Sequence, residues 1–158
     1  MKKKGFTLVE LLAVIAILAI LVIIALPNVM GMFRNAKKNS FATEVKEVFK
    51  TAQQQWMMDS MTNTNAITYG RGTTDCTSTP DTNKVKNHLD LSGRTELKYR
   101  ITIAKSGAVT GIAATDGTYN YKKSGTSIKI EEISVNDVKE VGTGEPAYDL
   151  GCDKDFTY

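Results

Sequence analysis

The chain has 158 residues, of which 42% are hydrophobic and 23% charged, with 12 glycines and 3 prolines. This fits one domain with an appendage and excludes a wholly disordered or collagen-like chain; a mean hydropathy of −0.20 excludes a multispanning membrane protein. The formal charge of +3 comes from 20 basic and 17 acidic residues, and Lys2, Lys3 and Lys4 supply the whole excess, so the basic balance reports the N-terminus and not a nucleic-acid-binding surface.

The hydrophobicity is concentrated at one end. Leu11 to Leu26 contains no polar side chain. Phe6 to Leu26 is 21 residues, about 31 Å of helix against a bilayer core of about 30 Å. Lys2 to Lys4 would stay on the cytoplasmic side. An ordinary secretory signal has a shorter apolar core, followed by a small-residue cleavage site. Here the core runs into Leu26-Pro27-Asn28-Val29-Met30, a poor site of that kind. A lipid-anchored cysteine would have to wait until Cys76. An uncleaved anchor remains open, but Glu10 argues against it. A carboxylate in a membrane segment costs on the order of 2.5–3.5 kcal/mol at the centre, less near an end, and needs a partner. Cutting between Gly5 and Phe6 would create one. The new α-amino group on Phe6, with a reference pKa of about 7.7–8, would be mostly charged and could pair with Glu10 of a neighbouring copy. An orphaned charge in apolar surroundings is severely unfavourable, so such a system favours assembly and sets a register between subunits.

Lys2-Lys-Lys-Gly-Phe-Thr-Leu-Val-Glu10 followed by an unbroken apolar run closely resembles the class III signal of type IV prepilins and their relatives. The likeness covers Met1 to about Leu26, and Pro27 stands where that family commonly has a proline. It implies a leader of residues 1–5, cleaved between Gly5 and Phe6 by a prepilin peptidase on the cytoplasmic face. It also implies N-methylation of Phe6, a transmembrane and filament-core helix over 6–26, and polymerisation through Phe6 and Glu10. The fold it implies is α+β: a long N-terminal helix packed on a globular head built on an antiparallel sheet.

The residues extend this reading past the membrane. Phe41, Val45, Val48, Ala52 and Trp56, flanked by Phe49, recur at spacings of 4, 3, 4 and 4. They form one stripe of an amphipathic stem helix over 27–61. A continuous helix from Phe6 to Met61 would be about 84 Å long, far longer than a head about 30 Å across, so something besides the head must cover it. Pro27 and Gly31 lie within it. Pro27 has no amide to give the carbonyl of Ile23 and invites a kink; the sharper reading is a segment that can unwind when subunits pack.

Residues 62–158 form the head. Met61-Thr-Asn-Thr-Asn65 ends the stem helix, and from there to Asp81 the chain is polar and rich in Thr, Gly and Asp, and reads as a loop. Asp81 or Thr82 would cap a short helix ending near Leu91. Leu97, Tyr99, Ile101 and Ile103 alternate with polar residues in a first strand. Ala108 to Ala114 reads as a second strand, and Asp116-Gly117 as a hairpin turn. Tyr119 and Tyr121 mark a third, ended by Ser124-Gly125, and Ser127 to Val135 a fourth. Short turns imply an antiparallel meander covered by the stem. The tail is acidic: from Glu131 to Tyr158 eight acids face Lys139 and Lys154, a balance of −6. Over Pro27 to Met58, five cations face Glu44 and Glu47, a balance of +3. Basic stem and acidic tail would attract one another, within or between copies.

Catalysis finds little support. His88 is the one histidine and sits in a polar stretch, with no nucleophile–base spacing, phosphate loop or CxxC. Nothing indicates nucleic acid, since aromatics are 8% and not interleaved with a basic stripe. Cys76 and Cys152 would lie outside the membrane, where disulfides persist. A bridge would staple the irregular tail, with roughly 4–5 kcal/mol in the chain-entropy model. No cofactor is implied by the residues. Asp149, Asp153 and Asp155 carry oxygen ligands that suit Ca²⁺, and some secretion pseudopilins bind calcium near their C-terminus, but the spacing matches no strong loop motif.

The function expected is that of a structural, non-enzymatic subunit of a type IV pilus-like surface filament. Its partners would be copies of itself, the prepilin peptidase, the pilus assembly machinery and the membrane. The precursor and subunit pool would reside in the inner or cytoplasmic membrane. The alternatives are a pseudopilin of a type II secretion or DNA-uptake machine, or a single-span anchored binding domain.

Overall fold

The structure, a computed structural model, describes residues 5–62, 65–72, 89–91, 96–142 and 144–150. The elements are helix α1 (Leu8–Asp59) and strands β1 (Ile67–Arg71), β2 (Lys98–Ile103), β3 (Val109–Thr115), β4 (Tyr119–Ile128) and β5 (Lys139–Glu140). The chain divides into two compact units, Met1–Lys37 and Lys38–Tyr158.

In the first unit α1 runs through Pro27 and Gly31 without interruption. Every large hydrophobic side chain from Phe6 to Phe33 is exposed, none by less than 47%. An apolar helix bare on all sides is a membrane span or the core of an assembly.

The second unit is an α+β head. The five strands lie in the order β1-β2-β3-β4-β5, every neighbouring pair antiparallel; the sheet is an antiparallel meander as expected, but β1 and the short edge strand β5 were not among the expected strands. Residues opposite one another form rows. Ile67 pairs with Ile103, and Tyr69 with Ile101, which in turn faces Ile112. Tyr99, Ala114 and Tyr121 form a third row, with the small alanine seated between two tyrosines. These side chains share one buried core with Phe41, Ala42, Val45, Val48, Phe49 and Ala52 of α1. The predicted stripe therefore docks as its spacing requires, with Trp56 packed at its partly buried end. Lys38 on α1 pairs with Glu140 on β5 at 3.6 Å, one realised contact of basic stem with acidic tail.

Four expectations are corrected or bounded. Residues 67–71, read as loop, form β1; Ile67 and Tyr69 supply its buried face. Ser124-Gly125 does not end a strand. It lies in an irregularity where Thr110 alone separates partners that residues 125–127 separate on β4, so two expected strands are one bulged strand. The segment after Lys129 is not a strand either but two 3-10 turns, Ile130–Glu132 and Val135–Asp137. Ile130 and Ile133 stand three apart, the period of a 3-10 turn and not of a strand, and Ile133 and Val138 anchor the segment in the core. Of the expected short helix, Leu89–Leu91 is not helical, and the remainder lies outside the described residues.

Candidate assembly site

Helix α1 begins at Leu8, which makes Thr7 the N-cap and Glu10 the third helical residue. The Thr7 amide donates to Glu10 Oε2 at 2.8 Å and the Thr7 hydroxyl to the same oxygen at 2.9 Å. In return the Glu10 amide donates to Thr7 Oγ1 at 3.3 Å. This reciprocal capping box satisfies two of the amides a helix start leaves orphaned. The carboxylate also lies where the positive end of the helix dipole favours it.

The geometry changes how Glu10 is read. A carboxylate in an apolar segment needs donors, and Thr7 supplies two from the same turn. Cutting the Gly5–Phe6 bond leaves the Thr7 amide intact, so the box survives processing. Oε2 is occupied, while Oε1 has no hydrogen-bond partner among the described residues. The Thr-Leu-Val-Glu spacing is itself a capping-box signature in the sequence, masked by the charge of Glu10.

The other sequence-selected residues are dispersed. Gly5 and Phe6 precede the helix, both exposed. Pro27 and Gly31 lie inside it, and a Cβ on Gly31 would meet nothing within 4 Å. Asp149 is exposed, and Leu150 beside it is buried. Cys76, His88, Cys152, Asp153 and Asp155 lie outside the described residues. Among the described residues no group of three or more His, Cys, Asp or Glu could hold a metal ion.

In the head, the residue that sequence reasoning missed is Asn120, fully buried on β4. Its amide donates to the carbonyl of Pro146 at 2.8 Å and accepts from the amide of Tyr148 at 3.4 Å. It thereby pins the tail to the sheet. Lys139 and Glu145 close the same segment at 2.6 Å; the pair raises the lysine's pKa and lowers the glutamate's. A cleft of about 320 Å³ beside it gathers Lys122, Lys123 and Lys139 around Tyr148. Lys123 faces Glu132 at 3.5 Å, Lys139 faces Glu145, and Lys122 lies 5.7 Å from the centre of the Tyr148 ring, so the cleft carries little uncompensated positive charge.

The family model of the prokaryotic N-terminal methylation motif matches residues 1–26. No curated protein and no solved structure matches the chain. Residues 1–26 are thus a class III signal of the type IV prepilin kind. The long helix packed on an antiparallel five-stranded sheet is consistent with the type IV pilin fold. Motif and helix together support a precursor of the type IV pilin or pseudopilin kind, with an N-terminal helix long and apolar enough to cross a membrane.

Proposed function

We propose that the chain is a structural subunit of a type IV pilus-like surface filament. In this reading a prepilin peptidase cuts between Gly5 and Phe6, Phe6 is N-methylated, and the subunit polymerises through its N-terminal helix. The observation that carries the reading is Glu10. Membrane residence needs no carboxylate, yet the helix holds one on Thr7, with its second oxygen left over. The donor of suitable depth is the Phe6 amine of another subunit. Lys2 to Lys4 leave with the leader, and Arg34 is about 36 Å further along a helix. Pro27 and Gly31 would let the helix yield as subunits pack.

The test is the N-terminal mass of the mature chain together with electron microscopy of sheared surface material. The expected chain begins at methylated Phe6 and forms filaments. Gly5→Leu should leave the precursor in the membrane. Glu10→Ala should insert and be cleaved but enter filaments poorly, and Glu10→Gln separates shape from charge. Normal filament yield from both Glu10 variants at matched expression would remove Glu10 as the assembly contact.

A further inference from the structure

Just past the apolar run, Pro27-Asn28 interrupts the hydrophobicity, Val29-Met-Gly-Met-Phe33 resumes it, and Arg34 and Lys37 follow. Met30, Phe33, Arg34 and Lys37 stand at i, i+3, i+4 and i+7 of α1, which places them on one helical face. All four are exposed. Between Glu10 and Glu44 the sequence has no acid. Among the described residues neither Arg34 nor Lys37 is in an ion pair, whereas Lys38 beside them is held by Glu140 at 3.6 Å. The face thus runs from apolar to cationic, and its two charges have no counter-charge of their own.

We infer that Arg34 and Lys37 bind the phosphates of anionic lipid headgroups in the non-cytoplasmic leaflet, with Met30 and Phe33 seated at the acyl boundary beneath them. The inference rests on the reading above of a subunit held in the membrane by its N-terminal helix. Three observations name the lipid. The face continues the span without a break in the helix. Its charge is opposite to that of the headgroups. Its order along the helix, apolar and then cationic, is the order of acyl chain and phosphate along the membrane normal. The depth agrees: with Phe6 to Leu26 filling the hydrocarbon, the headgroup zone adds about 5–7 Å on that side. Arg34 lies about 12 Å beyond Leu26 along the axis. Helical side chains lean back over the turn before them, and long cationic ones extend towards charge while their stems stay on apolar surface. That brings the guanidinium to the phosphates, and Lys37, one turn on, lies within a Debye length of them. Once Lys2 to Lys4 leave with the leader, Arg34 and Lys37 are the first cations of the chain, so a stored subunit is held at its depth from the outer side.

The test places the full chain in vesicles of equal parts phosphatidylcholine and phosphatidylglycerol, with Phe33→Trp as the reporter and the parent chain, which carries only Trp56, as the background. Bromine on the acyl chains of one lipid or the other quenches the reporter by contact. Phosphatidylglycerol should be enriched about fivefold around residue 33 at low salt, and the enrichment should shrink as salt is added. Arg34→Gln with Lys37→Gln should bring it to less than about twofold, while Lys46→Gln with Lys50→Gln should leave it unchanged. No enrichment in the reporter chain, an enrichment that survives the Arg34 and Lys37 substitutions, or a residue 33 that neither lipid quenches because a second copy covers it, each overturns the headgroup contact. The vesicles need neither peptidase nor filament, so the two readings fail separately. Methylated filaments from cells, with no lipid preference in vesicles, leave the filament reading standing without this contact. A chain that alkaline carbonate washes off the vesicles overturns the membrane-held subunit on which both rest.

Discussion

Replacing Tyr121 with phenylalanine should stabilise the head, and by an amount that grows with pH. Tyr69, Tyr99 and Tyr121 are all fully buried on the core face of the sheet, yet their hydroxyls differ. Tyr69 donates to Asp59 Oδ2 at 2.9 Å, and Tyr99 meets the backbone of Leu89. The Tyr121 hydroxyl has no hydrogen-bond partner among the described residues. An unmet buried hydroxyl costs about 1–3 kcal/mol, and the substitution removes only that oxygen, so a gain of about 1–2 kcal/mol is expected at pH 7. Burial, and then the carboxylates of Asp137 and Glu132, hold the pKa of Tyr121 well above its ordinary value of 10.0. A group neutral when protonated and raised in the fold stabilises fully below its unfolded pKa and loses that contribution as pH rises. At pH 11 ionisation stabilises the unfolded chain by about 1.4 kcal/mol per tyrosine. Phenylalanine lacks that loss, so the advantage at pH 11 should exceed that at pH 7 by about 1.4 kcal/mol. Urea unfolding of the full chain in a nonionic detergent, followed through Trp56, measures both. Tyr69→Phe is the control, because it strips a hydrogen bond from a carboxylate and should lose about 1.5–3 kcal/mol at pH 7. If Tyr121→Phe destabilises as Tyr69→Phe does, or gains nothing between pH 7 and 11, the orphan-hydroxyl argument is wrong.

Gly107 turns β2 into β3 at φ +85°, where a Cβ would lie 3.0 Å from the Trp56 ring. Gly107→Ala should therefore cost about 1–2 kcal/mol for the left-handed backbone alone and shift Trp56 emission; an unchanged spectrum and midpoint would contradict it. Asn120→Ala removes its two hydrogen bonds to the tail and should cost about 2 kcal/mol, with faster hydrogen exchange at the Tyr148 amide and little change at Ile101; unchanged protection at Tyr148 would show that the tail is held elsewhere. Cys76 and Cys152 are proposed to be bridged, so the unreduced chain should weigh two hydrogens less than the reduced one; two thiols titrating in the folded, air-exposed protein would refute the bridge. Above about pH 10 the wild-type head should lose stability steeply, because Tyr99, its pKa pushed up to about 12 by burial, and its two neighbours stay protonated only while folded; a midpoint flat between pH 9 and 11 would show that the rings are already wet.

How much of this was legible depended on how local the signal was. The stem stripe follows from spacing because Phe41 to Ala52 all dock on one surface, and a single period describes them. Strands β2 and β3 follow from the alternation of Tyr99, Ile101 and Ile103 and from the turn before Ala108. Strand β1 was hidden because Ile67-Thr-Tyr sits among Thr, Asn and Gly, so its composition resembles loop although its β-branched and aromatic residues fit a pleated surface. The bulge in β4 was hidden because Ser124-Gly125 is also what a turn looks like; its pairing with β3 across the hairpin decided the matter. Asn120 carried no signal at all, since its role depends on Pro146 and Tyr148 arriving from the tail. Thr7 was legible from its capping spacing with Glu10, three positions on, a local signal that the charge of Glu10 masks.

The Thr7 contact bears on how a carboxylate can wait in a membrane. If Glu10 relied wholly on another subunit, every unassembled copy would hold an unmet charge in apolar surroundings, at several kcal/mol. The Thr7 donors reduce that cost locally, since hydrogen bonds to a charged group are worth about 1.5–3 kcal/mol each. They do not neutralise the charge. A stored subunit is then tolerable, and an assembling one still gains by bringing a cation to the second oxygen. The two substitutions should therefore act at different stages. Thr7→Val keeps one donor, the backbone amide, but removes the hydroxyl, and should lower the level of unassembled subunit more than it lowers the fraction of subunit that assembles. Glu10→Gln keeps an acceptor for Thr7, and should leave the pool intact while lowering the fraction assembled. Measured as membrane-resident and sheared protein from the same cells, the two variants should move different numbers; if both move the same one, storage and assembly do not divide between Thr7 and the charge of Glu10.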